Sequence, residues 1–85
     1  MPYECPSDSR SELDRLMEQY GSSLLRMSAL YLKDASLAQD AVQETFLKAY
    51  RHLGDYRGES SEKTWLTAIC VNTCRDMLRN PWFRH

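Results

Sequence analysis

No apolar run in this sequence approaches the roughly 20 residues that a membrane-crossing helix needs. The start, Met1-Pro2-Tyr3-Glu4-Cys5, is polar and lacks the apolar centre of a secretory signal. Glycine and proline are scarce, at three each, too few for a chain built on turns. β-Branched residues are also sparse, while alanine, leucine, methionine, glutamate and arginine are common. This composition excludes a small β-barrel and predicts an all-α domain. Cysteine is odd in number at three, a poor disulfide framework and one that points to a cytoplasmic protein. Cys70 and Cys74 would share a helix face, but no second cysteine pair or spaced histidine completes a zinc site, since His52 and His85 are isolated. Three small buried or free thiols are expected, with a redox or metal sensor as the rival reading. A glycine-rich phosphate loop is lacking, and no Ser/His/Asp set can be placed together. Neither an enzyme activity nor a cofactor is therefore expected.

What is present fills one domain. A chain of 85 residues buries only about 60–65% of its unfolded surface, enough for one small core. Net charge is −1, which argues against a generally basic nucleic-acid binder. The total hides an asymmetry. Residues 1–44 hold 4 basic and 8 acidic side chains, and residues 45–85 hold 7 basic and 4 acidic. Two surfaces with different partners are implied.

Hydrophobic spacing predicts a compact three-helix bundle with a functional loop between the second and third helices. The first helix spans about 9–33, started by a Ser9/Glu12 capping box. Its stripe is Leu13, Leu16, Met17, Tyr20, Leu24, Met27 and Tyr31, widened by Leu25, Leu30 and Leu32. The second helix spans about 36–53, with Ser36 and Gln39 as its capping box and Gly54 as its C′ residue. Its inner stripe runs from Leu37 and Ala38 through Ala41, Val42, Thr45, Phe46, Ala49 and Tyr50 to Leu53. The opposite face holds Asp40, Gln43, Glu44, Leu47, Lys48 and Arg51, where Leu47 is the apolar exception. A loop follows at about 54–60, a third helix at about 61–79 and a tail at 80–85. The third helix packs through Trp65, Leu66, Ile69, Cys70, Thr73, Cys74 and Met77, and Asn80-Pro81 stops it.

Two segments carry possible chemistry. Asp40 and Glu44 are either a solvated acidic face or, given Leu47 beside them, a protein-docking surface. Tyr56, Arg57, Ser60 and Ser61 supply the aromatic face, cation and hydroxyls that hold single-stranded nucleic acid. Asn72, Arg75 and Arg79 extend that set along the third helix. Gly58 would let the backbone approach a base or adopt positive φ. The bland alternative is a polar turn joined to a polar helix face.

The run Asp40-Ala41-Val42-Gln43-Glu44-Thr45-Phe46-Leu47-Lys48-Ala49-Tyr50-Arg51 resembles the helix of bacterial sigma factors that docks on RNA polymerase. Tyr56-Arg57-Gly58-Glu59-Ser60-Ser61, Lys63-Thr64-Trp65-Leu66 and Val71-Asn72-Thr73-Cys74-Arg75-Asp76 continue the likeness in order. The pattern is similar to the second region of the extracytoplasmic-function group over roughly residues 12–79. The resemblance implies a sigma factor domain for transcription initiation, spanning 1–85 with no fourth-region domain. That makes the chain a piece of a two-domain factor or a natural single-domain form. It implies Asp40, Gln43, Glu44, Leu47 and Lys48 as contacts to the β′ clamp helices of polymerase. Tyr56, Arg57, Gly58, Ser60 and Ser61 would capture a base flipped from the non-template strand of the minus-ten promoter element. Asn72, Arg75 and Arg79 would touch neighbouring promoter DNA, and Lys63 a phosphate. An anti-sigma factor is a further implied partner. A sigma-like protein-interaction module without DNA contact is the alternative. Against the family pattern, Trp65 is either a core residue or a DNA-melting wedge. Two positions depart from that pattern: Tyr56 replaces the more usual phenylalanine and keeps the stacking face, and Glu62 stands where a bulky apolar residue is common. A carboxylate there would repel phosphate or cap the helix N-terminus.

Overall fold

The computed structural model describes residues 4–56, 58 and 60–80, with side chains from residue 11 onward except that of Asp55. Among them are three helices, α1 (Glu4–Leu32), α2 (Ala35–Arg51) and α3 (Glu62–Arg79), one 3-10 turn at Leu53–Asp55, and no strand. The all-α three-helix architecture expected from composition is present. The domain measures 46 × 25 × 20 Å, and its long axis matches α1, whose 29 residues at about 1.5 Å each reach about 43 Å.

Several boundaries move. α1 begins at Glu4 rather than near Ser9, so Ser9 lies inside the helix and is not its cap. Pro6 falls in the first turn, where the missing N–H has no intrahelical partner to lose. Gly21 does not interrupt α1. The cap of α2 is Asp34, not Ser36: the Asp34 carboxylate accepts from the Leu37 backbone N–H at 2.9 Å. Lys33 makes this possible. Its φ of 58° is left-handed, which ends α1 and turns the chain within two residues. The Lys33 N–H still donates to the Ala29 carbonyl at 2.8 Å.

α2 stops at Arg51, and His52 caps it by donating to the Lys48 carbonyl at 3.0 Å. Gly54 is therefore not a left-handed C′ residue. It sits in the 3-10 turn, which carries Leu53 onto the core. Ser61, expected as the start of the third helix, is instead its N-cap, with its hydroxyl accepting from the Thr64 N–H at 3.1 Å. Asn80 closes the other end.

The core joins Leu16, Leu24 and Leu32 of α1, Ala41, Phe46 and Ala49 of α2, and Leu66, Cys70, Cys74 and Met77 of α3. Fully buried Ala38, Ala41 and Ala49 present little bulk, which lets α2 lie close to its neighbours. Ser28, Thr45 and Thr73 are buried without penalty because each finds a partner. Thr45 donates back to the Ala41 carbonyl at 2.7 Å, and Thr73 to the Ile69 carbonyl at 2.8 Å. Met17, Leu25, Leu30, Tyr31 and Tyr50, all drawn into stripes by spacing, are exposed. The apolar face of α1 is wider than the two helices that cover it.

Candidate functional site

The register of α2 against α3 creates a groove of about 440 Å³. Asp40, Gln43, Glu44, Leu47 and Lys48 line it from α2, at spacings of 3 and 4. Thr73, Asp76, Met77 and Asn80 line it from the α3 side, with the same spacing. All five residues expected to dock polymerase thus meet in one place. Leu47 is 52% exposed, an apolar side chain between carboxylates. Lys48 reaches across to α3, where its Nζ donates to Thr73 Oγ1 at 3.0 Å. Asp40, Glu44 and Asp76 leave the rim acidic, so the groove suits a helix carrying arginines and one apolar anchor. Spacing alone missed the α3 wall. Residues 73, 76, 77 and 80 are in register on one side of α3, but only packing turns that side toward α2.

The loop is held at both ends. The Tyr56 ring stacks on Trp65 with centroids 4.7 Å apart and planes 25° from parallel. The Tyr56 hydroxyl donates to the Ser60 carbonyl. Gly58 takes φ 76°, the left-handed conformation expected of it. Arg57 lies outside the described residues. Ser61 is committed to its cap: its hydroxyl also donates to Thr64 Oγ1 at 2.9 Å, leaving one lone pair free for a ligand. Trp65 is half-buried against the core, so it is a packing residue that also supports the loop.

Asn72, Arg75 and Arg79 are exposed on the side of α3 away from the core. At 100° per residue they continue the line of Trp65 and Ala68, so the aromatic pair and the polar strip form one surface. Lys63 does not join it. It lies on the α1 side of α3, beside a cavity of about 270 Å³ with Tyr20, Ser23, Leu24, Met27, Leu66 and Thr67.

Glu62 is engaged by α1. Its carboxylate accepts from Arg15 Nη2 at 2.5 Å and from the Tyr20 hydroxyl at 3.2 Å. The Arg15 hydrogen bond holds the Glu62 carboxyl below the usual range, against an opposing effect of burial. Burial, and next the bond to Glu62, push the Tyr20 phenol up. These contacts were invisible to spacing, because Arg15 and Glu62 are 47 residues apart.

Cys70 and Cys74 are buried free thiols around Ser28, whose Oγ lies 3.1 Å from Cys70 Sγ and accepts from Cys74 at 3.6 Å. Burial pushes the Cys74 thiol up, which disfavours the reactive thiolate. Among the described residues no group of three or more His, Cys, Asp or Glu side chains could hold a metal, and no helix is long and apolar enough to cross a membrane.

The family profile described as Sigma-70 region 2 matches residues 16–84. The RNA polymerase sigma-H factor of Pseudomonas aeruginosa is 43% identical over 65 residues, covering 76% of this chain and 34% of that protein. The ECF RNA polymerase sigma-E factor of Haemophilus influenzae is 38% identical over 63 residues, 74% of this chain and 33% of that one. The ECF RNA polymerase sigma factor SigM of Mycobacterium tuberculosis is 34% identical over 70 residues, 82% and 36% respectively. The chain thus spans about a third of the length of these relatives. Profile, helical architecture and the order of the motifs agree: the chain belongs to the sigma-70 family, as a region 2 domain of the extracytoplasmic-function type.

Proposed function

We propose that this domain serves transcription initiation by joining RNA polymerase to an opened promoter. The α2–α3 groove takes the β′ clamp helices. Asp40 and Glu44 pair with arginines across the interface, Gln43 and Lys48 add hydrogen bonds at the rim, and Leu47 buries. The loop and the outer strip of α3 take the non-template strand of the minus-ten element. One flipped base stacks near Tyr56, with Arg57, Gly58, Ser60 and Ser61 around it. Asn72, Arg75 and Arg79 contact the adjoining strand, and Lys63, on the α1 side, meets phosphate at the edge. The domain performs no chemistry of its own and works beside polymerase in the cytoplasm. An anti-sigma factor would silence it by covering the same groove.

The convergence of Asp40, Gln43, Glu44, Leu47 and Lys48 in one acid-rimmed groove is the observation that carries this reading. The stacked Tyr56–Trp65 pair supports the DNA half, since base–aromatic stacking contributes roughly 1–3 kcal/mol per base. The test combines both halves. Glu44→Arg should weaken binding to a β′ clamp fragment. With polymerase present, a single-stranded minus-ten oligonucleotide should bind better than a scrambled one, and Tyr56→Ala or Asn72→Ala should shrink the difference. Unchanged clamp affinity removes the docking assignment, and equal binding of the two oligonucleotides removes the DNA assignment.

A further inference from the structure

Arg15 lies on the first helix, outside every motif of the site, yet its bonds end at the exit of the loop. We infer that Arg15 and Tyr20, acting through Glu62, are positioning residues that hold the exit of the loop at Ser60 and Ser61, and the Tyr56 ring set against it, in the base-receiving arrangement. The inference rests on the base-capture reading above.

The arrangement is a closed ring of side chains. Arg15 Nη2 donates to Glu12 and to Glu62, each at 2.5 Å, and Nη1 donates to Gln19 Oε1 at 3.0 Å. Gln19 Nε2 donates to the Tyr20 hydroxyl at 3.4 Å, and that hydroxyl donates to the second oxygen of Glu62 at 3.2 Å. Both oxygens of Glu62 are thus fixed by α1. Glu62 is the first residue of α3 and directly follows the cap Ser61. One turn later Trp65 carries the Tyr56 ring, and Tyr56 in turn closes on the Ser60 carbonyl. Fixing residue 62 therefore fixes the end of the loop against which the Tyr56 ring is set. A loop held in its bound shape spends less ordering entropy on binding. The ring also answers the charge problem at position 62. The carboxylate that would face a phosphate is instead turned toward α1 and balanced by a guanidinium.

Trp65 offers a readout independent of DNA. In a Trp82→Phe background it is the sole tryptophan, and Tyr56→Ala defines the emission of an unstacked ring. Arg15→Met and Glu62→Gln should each move Trp65 emission toward that endpoint. Each should also weaken the minus-ten oligonucleotide about threefold to fivefold, with binding to the clamp fragment unchanged. Arg15→Lys, which keeps the charge, should restore most of both. An emission spectrum of Arg15→Met identical to wild type overturns the inference, as does a lower melting temperature with emission and oligonucleotide affinity unchanged. Should the wild-type chain fail to distinguish minus-ten from scrambled DNA, the base-capture reading falls. The emission comparison then still decides whether the ring holds the loop.

Discussion

Leu47 keeps 52% of its surface in water although it lies within α2, on the wall of an acid-rimmed groove. Complete burial of a leucine side chain contributes about 1.5–3 kcal/mol. About half remains to be gained when a partner covers it, so Leu47→Ala should cost docking about 0.75–1.5 kcal/mol, or roughly threefold to twelvefold in Kd. The fold should hardly notice, because alanine is the better helix former and the side chain is not in the core. Titration of a β′ clamp fragment by calorimetry or anisotropy checks this. Binding of the variant should also show a less negative heat-capacity change, since less apolar surface is covered. The loss should persist at high salt, whereas the effect of Glu44→Gln should shrink as charges are screened. Leu30→Ala is the matched control: Leu30 is 74% exposed on α1, outside the groove, and its loss should leave Kd unchanged. Equal loss from Leu30→Ala, or no loss from Leu47→Ala, would refute the assignment of the groove.

Lys33→Gly should stabilise the domain. The left-handed conformation costs a non-glycine residue roughly 1–2 kcal/mol, and glycine returns roughly 0.5–1 kcal/mol of that as unfolded-chain entropy. A net gain of about 0.5–1 kcal/mol corresponds to a rise of about 2–8 °C in Tm for a domain of this size. A thermal melt with Tm unchanged or lower would show that the φ of 58° is not strained. Glu62 predicts a pH signature. Its folded-state carboxyl lies below the ordinary value of 4.5, so its contribution to stability is complete above that value and is lost as pH falls through the lowered one. The Tm gap between wild type and Glu62→Gln should therefore be full at neutral pH and close in acid. A gap that widens as pH falls would contradict the Arg15–Glu62 pair.

The helix count and the packing side of α3 were legible because period and burial coincide there: Leu66, Cys70, Thr73, Cys74 and Met77 are all buried. The stripe of α1 was less so. Met17 and Tyr31 repeat at helical spacing but remain exposed, since a 29-residue helix offers more apolar surface than two shorter helices cover. Capping was ambiguous wherever two candidates stood close. Asp34 and Ser36 are both good N-caps, and the left-handed turn at Lys33 selected Asp34. Leu47 stood out in sequence as an apolar residue on a charged face, and it proved to be an exposed apolar part of the groove wall.

The sequence by itself determined three helices, the residues of the acidic, Leu47-bearing face of α2 and of the loop, and a division into an acidic and a basic half. These follow from local rules: apolar period, cap chemistry and the order of motifs along one chain. Tertiary structure alone decided which sides of the helices face one another. It set Thr73, Asp76 and Met77 opposite the acidic face of α2, placed Trp65 under Tyr56, and turned Lys63 away from Asn72, Arg75 and Arg79. It also brought Arg15 to Glu62 across 47 residues. Helical spacing defines each side chain relative to its own axis, but only close packing of the shared core fixes the rotation of one axis against another.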